Sequence, residues 1–355
     1  MNISSLFKDK AYSFRESSDN EDEKYFASTV LSKFKPDLKL KKINILGVFD
    51  NFDLFSVYDE LDQKYTLKIS LDDSDKVLKR ESTFLKSHKY LNVPLILDYG
   101  DIEVGEKVTY LFSKVSEAES IRNYGRSVIF HKLDEFREAY KNVFFTDKPL
   151  RKKYKNVLSD FCKNMSPSKF LTNDGVNYFK AYTDYNLCCE FLEELKSQIQ
   201  DLSTRVYDDL NHNCHSSLSL DSIFYGPEGF YFDFLHNANL GHPYVDYIDI
   251  IMELGVSTDD EKKIFIKICD KMGISFDQYL YDCIFKVQAR KKLAELIISY
   301  IREVYLYDSF RYERIFYIAD TFSHCYKRFC SIDIFKKNRE FIMKTICEPI
   351  FGVKA

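Results

Sequence analysis

The fold prediction for this chain depends most on residues 211–249, which read NHNCHSSLSLDSIFYGPEGFYFDFLHNANLGHPYVDYID. Within this stretch the apolar pair Ile223–Phe224, the turn-forming residues 226–229 and the aromatic run 230–232 are typical of a β-hairpin. Asp233 follows the second strand of that hairpin directly. A carboxylate at the end of an apolar strand is costly to bury unless it binds something. Asp233 is therefore the first candidate site residue, although an aspartate that caps a turn is the commoner case.

The composition is typical of a globular protein and argues against several classes of function. The chain has 355 residues, 45% hydrophobic and 30% charged, enough for two domains or one two-lobed unit. A net charge of −4 gives no general attraction to nucleic acid or anionic lipid, so we expect neither as a partner. The sequence contains no run of 18 apolar residues, so it predicts no membrane-spanning helix. The chain has nine cysteines but no CxxC pair, which is typical of a reducing compartment. Its first segment also has no apolar core of the kind found in a secretory signal, so we expect a cytoplasmic protein.

The order of the predicted elements divides the chain into three regions. Residues 1–24 are polar and then acidic, and we expect a loosely docked N-terminal arm. Residues 25–116 carry mainly strand signals, with one helix signal between the third and fourth strands. Residues 117–355 are mainly helical and contain the 211–249 stretch. The sequence therefore predicts an α+β fold with a small antiparallel β lobe, one inserted helix and a large helical lobe. The predicted strands are 42–46, 54–59, 65–69, 93–97 and 108–112, and the inserted helix is 72–90.

This layout resembles the protein-kinase-like two-lobe fold, specifically the aminoglycoside phosphotransferase and choline kinase family. Lys68, on the third predicted strand in Tyr-Thr-Leu-Lys-Ile, is similar to the lysine with which that family holds nucleotide phosphates. Glu81, on the following helix, has the spacing of the ion-pair partner of that lysine. The segment 110–120 resembles the family's connection between the lobes, where backbone groups of Ser113 to Val115 would contact an adenine.

The resemblance continues in the opening stretch and implies two cofactors. Asp233 in Tyr-Phe-Asp-Phe is similar to the family's metal-binding Ile-Asp-Phe, which implies a Mg²⁺ ligand. Asp246, in residues 241–248, resembles an aspartate that anchors the catalytic segment structurally. The matching motifs span about residues 40–250 in the family's order. The resemblance thus implies ATP and Mg²⁺ as cofactors.

The catalytic loop departs from the family pattern at its two most important positions. The family's loop reads His-Gly-Asp-Leu-His-x-x-Asn-Ile-Leu, and the best register here begins at His215, whose implied role is to support the loop. Ser217 then takes the place of the aspartate that orients or deprotonates the substrate hydroxyl. Ser222 takes the place of the metal-binding asparagine. Loss of a general base typically costs about 10²–10⁴ in rate, and a neutral serine is a poor Mg²⁺ ligand.

A second register of the catalytic loop and the loop that would cover the phosphates also indicate an impaired kinase site. Starting the loop at His212 puts Cys214 in the aspartate position and Ser219 in the asparagine position, so neither register supplies a carboxylate. The nearby Asp221 falls on the wrong side of the loop in both. The loop that would cover the phosphates is poor in glycine and carries Asp50 and Asp53, whose charge would repel them.

Three hypotheses about function follow. The first is a pseudokinase that can still bind ATP and Mg²⁺ through Lys68, Glu81 and Asp233 and acts through a small-molecule or protein partner. The second is an atypical active phosphotransferase that moves the ATP γ-phosphate to a hydroxyl of a small metabolite or sugar, with Asp233 and a metal carrying the chemistry. The third is a structural or assembly protein that has kept only the fold.

Overall fold

The computed structural model describes most of the chain outside its two ends. The chain forms two compact units. We call residues 2–148 and 219–238 the strand unit, and residues 149–218 and 239–355 the helical unit. Most of the predicted arm, and Asp50, lie outside the described residues, which are 21–48, 52–71, 76–87, 92–145, 150, 153–182, 184–204, 212–256, 258–305 and 312–344.

A five-stranded antiparallel sheet forms the first part of the strand unit, with the strand order β1-β2-β3-β5-β4. Helix α2 (Val77–Ser87) connects β3 to β4, so the predicted sheet with one inserted helix is confirmed. The turn between β4 and β5 falls at Gly105, whose φ of +77° lies in the left-handed region that glycine adopts without strain. The strands are β1 Leu40–Val48, β2 Asp53–Asp59, β3 Lys64–Ser70, β4 Leu95–Val104 and β5 Glu106–Lys114.

A helix that the sequence analysis missed covers part of this sheet. We expected an arm up to residue 24 and strands after it, but helix α1 spans Glu21–Phe34. Ala27, Val30 and Leu31 are buried in the core of the sheet. These positions are three and four residues apart and form one apolar stripe, which explains why the segment is helical. The stripe is short and lies among polar residues, so the sequence signal is weak.

The hairpin predicted from residues 223–232 is present in the strand unit. It consists of β8 (Ile223–Gly226) and β9 (Gly229–Phe232), and β6 (Glu119–Ser120) pairs with β8 to complete a three-stranded sheet. Phe230 and Phe232 pack against Phe136, with ring centroids 5.2 and 5.8 Å away. The compact unit therefore continues past the predicted lobe boundary at residue 116. The further helices of this unit are α3 Ile121–Tyr124, α4 Ser127–His131 and α5 Leu133–Phe144, with a 3-10 turn at Leu235–Asn237.

The helical unit contains ten described helices and one short strand pair, β7 (His212–Cys214) with β10 (Asn239–Gly241). Helix α10 begins directly after β10 and is buried along nearly its whole length. Among the described helices, none has a segment long and apolar enough to span a membrane. The helices are α6 Tyr154–Lys163, α7 Pro167–Phe170, α8 Asn173–Tyr182, α9 Tyr185–Thr204, α10 Pro243–Leu254, α11 Thr258–Lys271, α12 Gln278–Tyr305, α13 Tyr312–Phe329, α14 Asp333–Lys337 and α15 Arg339–Ile342.

Candidate functional site

Three of the predicted site residues meet inside the strand unit. The Lys68 Nζ atom lies 2.7 Å from Glu81 Oε1 and 2.8 Å from Asp233 Oδ1. All three residues are buried, with exposed fractions of 1%, 0% and 4%. We call this group the Lys68 cluster. Its role in holding phosphate or metal stays a prediction. The Lys68–Glu81 contact is the ion pair that the resemblance implied, whereas the contact of Lys68 with Asp233 was not predicted.

Each member reaches the cluster from a different element. Lys68 lies in the middle of β3, paired with Leu54 on β2 and Leu111 on β5. Because strand residues alternate between faces, its side chain is fixed on one face of the sheet. Glu81 lies on the buried face of α2. Asp233 follows β9 immediately, so the hairpin delivers it from a part of the chain 165 residues beyond Lys68.

Backbone amides also hold the two carboxylates. The Phe234 N–H donates to Asp233 Oδ1 at 2.6 Å, and the Leu235 N–H donates to Glu81 Oε1 at 3.2 Å. Phe234 has φ 59° and ψ 42°, a left-handed conformation that is rare for an aromatic residue. Such strain persists where the surrounding contacts fix it, and functional sites are where it tends to occur.

Two carboxylates share one ammonium in this cluster, so their pKa values move apart. Burial alone would lower the pKa of Lys68, but the charges of Asp233 and Glu81 outweigh burial and raise it. Burial raises the pKa of Glu81 by more than the Lys68 charge lowers it. Burial would also raise the pKa of Asp233, but Lys68 and the Phe234 N–H hold that pKa below its usual value. Glu81 is thus the member of the cluster that takes up a proton first as the pH falls.

Two aromatic rings that the sequence analysis missed complete the surroundings of Lys68. The Nζ atom lies 5.6 Å from the ring centroid of Phe52 and 4.8 Å from that of Phe234. The position of Phe234 directly after Asp233 could have suggested that its ring lies near Lys68. Phe52 lies just before β2, and nothing in its spacing connects it with Lys68.

The catalytic-loop-like segment is anchored inside the helical unit. The backbone N–H groups of His215 and Ser216 donate to the two carboxylate oxygens of Asp246, both at 2.7 Å. Asp246 lies in the first turn of α10 and is fully buried. Ser216 has φ 69°, in the position where the family has glycine. Both observations support the register that begins at His215.

The alternative register gains no support from the surroundings of Cys214. Its thiol is buried, 2.9 Å from the Ser216 hydroxyl, and burial raises its pKa well above the usual value, as does the charge of Asp246. A thiol that stays protonated is a poor nucleophile and cannot act as a base.

The two serines that replace the family's aspartate and asparagine make local hydrogen bonds. The Ser217 hydroxyl donates to the Ser216 carbonyl at 2.8 Å. In the strand unit, the Ser222 hydroxyl donates to the Ser219 carbonyl at 3.0 Å and accepts from the Ser219 N–H at 2.9 Å. A Mg²⁺ site prefers several oxygen ligands, with carboxylates foremost. Asp233 fits such a site, but Ser222 does not, because its hydroxyl already closes a turn.

The one acidic residue between positions 212 and 222 is held by an ion pair. Asp221 Oδ1 accepts from Arg122 Nε at 2.8 Å, and both side chains are largely buried, at 17% and 14% exposure. The Arg122 N–H also donates to the Leu220 carbonyl at 3.3 Å. Asp221 therefore has a partner inside the strand unit, which the sequence could not reveal because the partner lies 99 residues away.

The predicted adenine-contacting residues lie at the end of β5. Ser113 is buried, and its hydroxyl lies 2.8 Å from the Thr66 hydroxyl of β3. Val115 is also buried and directly follows the strand. Contact of their backbone groups with an adenine stays a prediction.

Comparison with known proteins gives a clear result for the fold. No protein-family model matches the sequence, and no curated protein matches it significantly. Among solved structures, a spectinomycin phosphotransferase in complex with ADP and spectinomycin superposes with a TM-score of 0.55 at 13% identity, over 84% of this chain and 93% of that one. This chain has the fold of the aminoglycoside phosphotransferases.

Two further structures with this fold extend the comparison. An aminoglycoside phosphotransferase of the APH(4)-Ia type has a TM-score of 0.53 at 10% identity, over 85% of this chain and 98% of that one. The choline kinase LicA from Streptococcus pneumoniae has a TM-score of 0.53 at 14% identity, over 84% of this chain and 99% of that one. The predicted resemblance to aminoglycoside phosphotransferases and choline kinases is confirmed, and at these identities it concerns the fold.

Proposed function

We propose that this chain is a pseudokinase, a protein of the phosphotransferase fold that binds a nucleotide-like ligand but does not transfer its phosphoryl group. It acts through the bound ligand or through a partner. The observation that carries the proposal is Ser217 in the place of the family's catalytic aspartate. A serine hydroxyl is not basic at neutral pH, so it cannot take the proton of a substrate hydroxyl.

No neighbouring acid in the loop replaces that aspartate. Asp221 is paired with Arg122 and lies in the strand unit, and its carboxylate is held by that ion pair. Using it as a base would mean breaking a largely buried ion pair. In the described part of the loop, residues 212–222, no carboxylate therefore stands where the family's aspartate positions the acceptor hydroxyl.

The Lys68 cluster supports ligand binding by its position, because the resemblance places a nucleotide there. Its three groups pair with one another, so the cluster does not need a ligand to be buried. The spectinomycin phosphotransferase of the same fold has been solved with ADP and with AMP, which makes an adenine nucleotide the first ligand to test. Because Ser222 does not fit a metal site, we expect nucleotide binding here to depend little on Mg²⁺.

A second candidate, an active phosphotransferase acting on a small hydroxylated metabolite, is favoured by one observation. The Lys68–Glu81–Asp233 contacts at 2.7 and 2.8 Å are those that such an enzyme would need. In that case another group, or the substrate itself, would do the work of the missing base.

Calorimetric titration with ATP, ADP and AMP, with and without Mg²⁺, tests the proposal together with a phosphate-release assay. We expect measurable binding that Mg²⁺ changes little, and no turnover. Sustained turnover on a panel of sugars and amino alcohols would favour the active enzyme. No binding together with stable oligomers would favour a purely structural role.

A further inference from the structure

Lys68 is enclosed on the sides that its two carboxylate partners leave open. The rings of Phe52 and Phe234 lie over its ammonium, and the two rings are stacked on each other with centroids 6.5 Å apart and planes 25° apart. The ring of His236 lies edge-on to Phe52, with centroids 5.9 Å apart. Lys68 has an exposed fraction of only 1%, and Phe52 one of 4%.

Among the described residues, the partners of Lys68 cover its ammonium almost completely, with 1% of the residue exposed. An ammonium has three N–H donors. Two of them donate to Glu81 and Asp233. The ring centroids of Phe52 and Phe234 lie 5.6 and 4.8 Å from the same nitrogen, within the range at which a π face attracts a cation. A phosphate oxygen would need to come within about 3 Å of Nζ. At least one ring would have to leave before that could happen.

The two carboxylates occupy the other approach to the ammonium. Glu81 Oε1 and Asp233 Oδ1 lie 2.7 and 2.8 Å from Nζ, so a phosphate oxygen could take either position only by displacing one of them. The shape of the enclosure therefore discriminates against phosphate.

The backbone fixes one of the two rings. Phe234 is held in its left-handed conformation while its N–H donates to Asp233. The next N–H, from Leu235, donates to Glu81. The ring of Phe234 is thereby tied to the same carboxylates that bind Lys68. Phe52 is the member of the enclosure that a substitution can remove without disturbing those bonds.

We propose that Phe52 and Phe234 form an aromatic cap that keeps phosphate groups off Lys68, so that the ligand of this site is recognised as a nucleoside rather than through its phosphates. This inference rests on the proposed function for the identity of the ligand. The existence of the aromatic cap does not depend on the proposed function, because access to Lys68 can be measured without any nucleotide.

The test combines amine acetylation with nucleotide titration, applied to the full-length protein and three variants. Brief treatment with an acetylating reagent, followed by peptide mass spectrometry, reports the access to Lys68. Lys39, with 77% of its side chain exposed, is the internal reference. Phe52→Ala and the milder Phe52→Leu remove or reduce the ring. Phe26→Ala is the matched control, because Phe26 packs on the sheet core of the same unit.

We expect Phe52→Ala to raise acetylation of Lys68 relative to Lys39 by about tenfold, Phe52→Leu to raise it less, and Phe26→Ala to leave it unchanged. In calorimetry the natural protein should bind adenosine and ATP with similar affinity. Phe52→Ala should bind ATP about tenfold more tightly, a change of about 1.4 kcal/mol, with adenosine unaffected.

Unchanged acetylation in both Phe52 variants would overturn the cap, and so would an ATP affinity of the natural protein far above its adenosine affinity. If no protein binds either ligand while acetylation rises as expected, the cap stands and the proposed function fails. If Phe52→Ala does not fold, the comparison of Phe52→Leu with the natural protein decides the matter.

Discussion

Lys68 on β3 and Asp233 after β9 are 165 residues apart in the chain, yet Nζ and Oδ1 lie 2.8 Å apart in a buried ion pair. Glu81 holds the same nitrogen from α2 at 2.7 Å. The pair connects the first sheet to the hairpin of the catalytic-loop-like stretch within one compact unit. The contribution of this pair to the free energy of unfolding can be measured without any ligand.

Replacing Lys68 by methionine should strongly destabilise the protein. The change leaves two buried carboxyl groups without their cation, and breaking a buried ion pair in this way typically costs about 3–5 kcal/mol. Urea unfolding followed by circular dichroism measures the free energy of unfolding. Lys107→Met is the control, since Lys107 pairs with Asp101 on the surface and its side chain is 72% exposed. Equal stability of the two variants would show that Lys68 is not the centre of a buried cluster.

Asp221→Asn should affect stability and leave function unchanged. The substitution weakens the ion pair with Arg122, a charge-assisted hydrogen bond at 2.8 Å, and should cost about 1–3 kcal/mol. Because Asp221 is not a base in our account, ligand affinity should change by less than about threefold, which corresponds to under 1 kcal/mol. A loss of turnover on any substrate in this variant would instead make Asp221 the catalytic acid–base group.

Asp246→Asn should loosen the catalytic-loop-like segment. One of the two oxygens that accept the His215 and Ser216 N–H groups becomes an amide nitrogen, which cannot accept a hydrogen bond. A buried donor left without an acceptor costs about 1–3 kcal/mol. Thermal or urea unfolding measures the loss, with Asp333→Asn as control because that side chain is 93% exposed. Similar stability of both variants would contradict the anchoring role.

Stability should fall between neutral and alkaline pH because of Asp249 in α10. Burial raises its pKa to about 8, opposed by Lys291 and Lys292 and supported by Glu295 and Asp246. The folded protein thus keeps a proton that the unfolded chain releases above about pH 4. That stabilising contribution is complete below pH 4 and is lost as the pH rises through about 8.

Asp249→Asn removes this titration and should flatten the pH dependence. Between pH 6 and pH 9 the natural protein should lose about 1–3 kcal/mol more stability than the variant. Urea unfolding at the two pH values gives the comparison, with Asp333→Asn as the charge-matched control. Parallel pH dependences in all three proteins would mean that Asp249 is ionised throughout this range.

The elements that form the Lys68 cluster could be predicted because their order in the chain is informative. The third strand, the helix after it and the hairpin are local patterns that periodicity and turn residues indicate. The choice of Lys68 and Glu81 within these elements followed from the resemblance to the phosphotransferase family. The hairpin was predicted from Gly226 and Gly229 between aromatic runs, and the structure has it there.

Contacts between distant segments could not be predicted in the same way. Phe52 reaches Lys68 from the residue before β2, and Arg122 reaches Asp221 across 99 residues, and neither contact leaves a periodic signal. Helix α1 was missed because only Ala27, Val30 and Leu31 form its buried stripe. These are effects of tertiary packing, which a single sequence encodes only indirectly.

The rate of γ-phosphate transfer from ATP and Mg²⁺, compared between the natural protein and Asp233→Asn, tests the central claim most directly. A pseudokinase should show the same rate in both, at the level of buffer with any acceptor hydroxyl. A rate in the natural protein that exceeds the variant by tenfold or more, a difference of about 1.4 kcal/mol in activation free energy, would contradict the account and establish an active phosphotransferase.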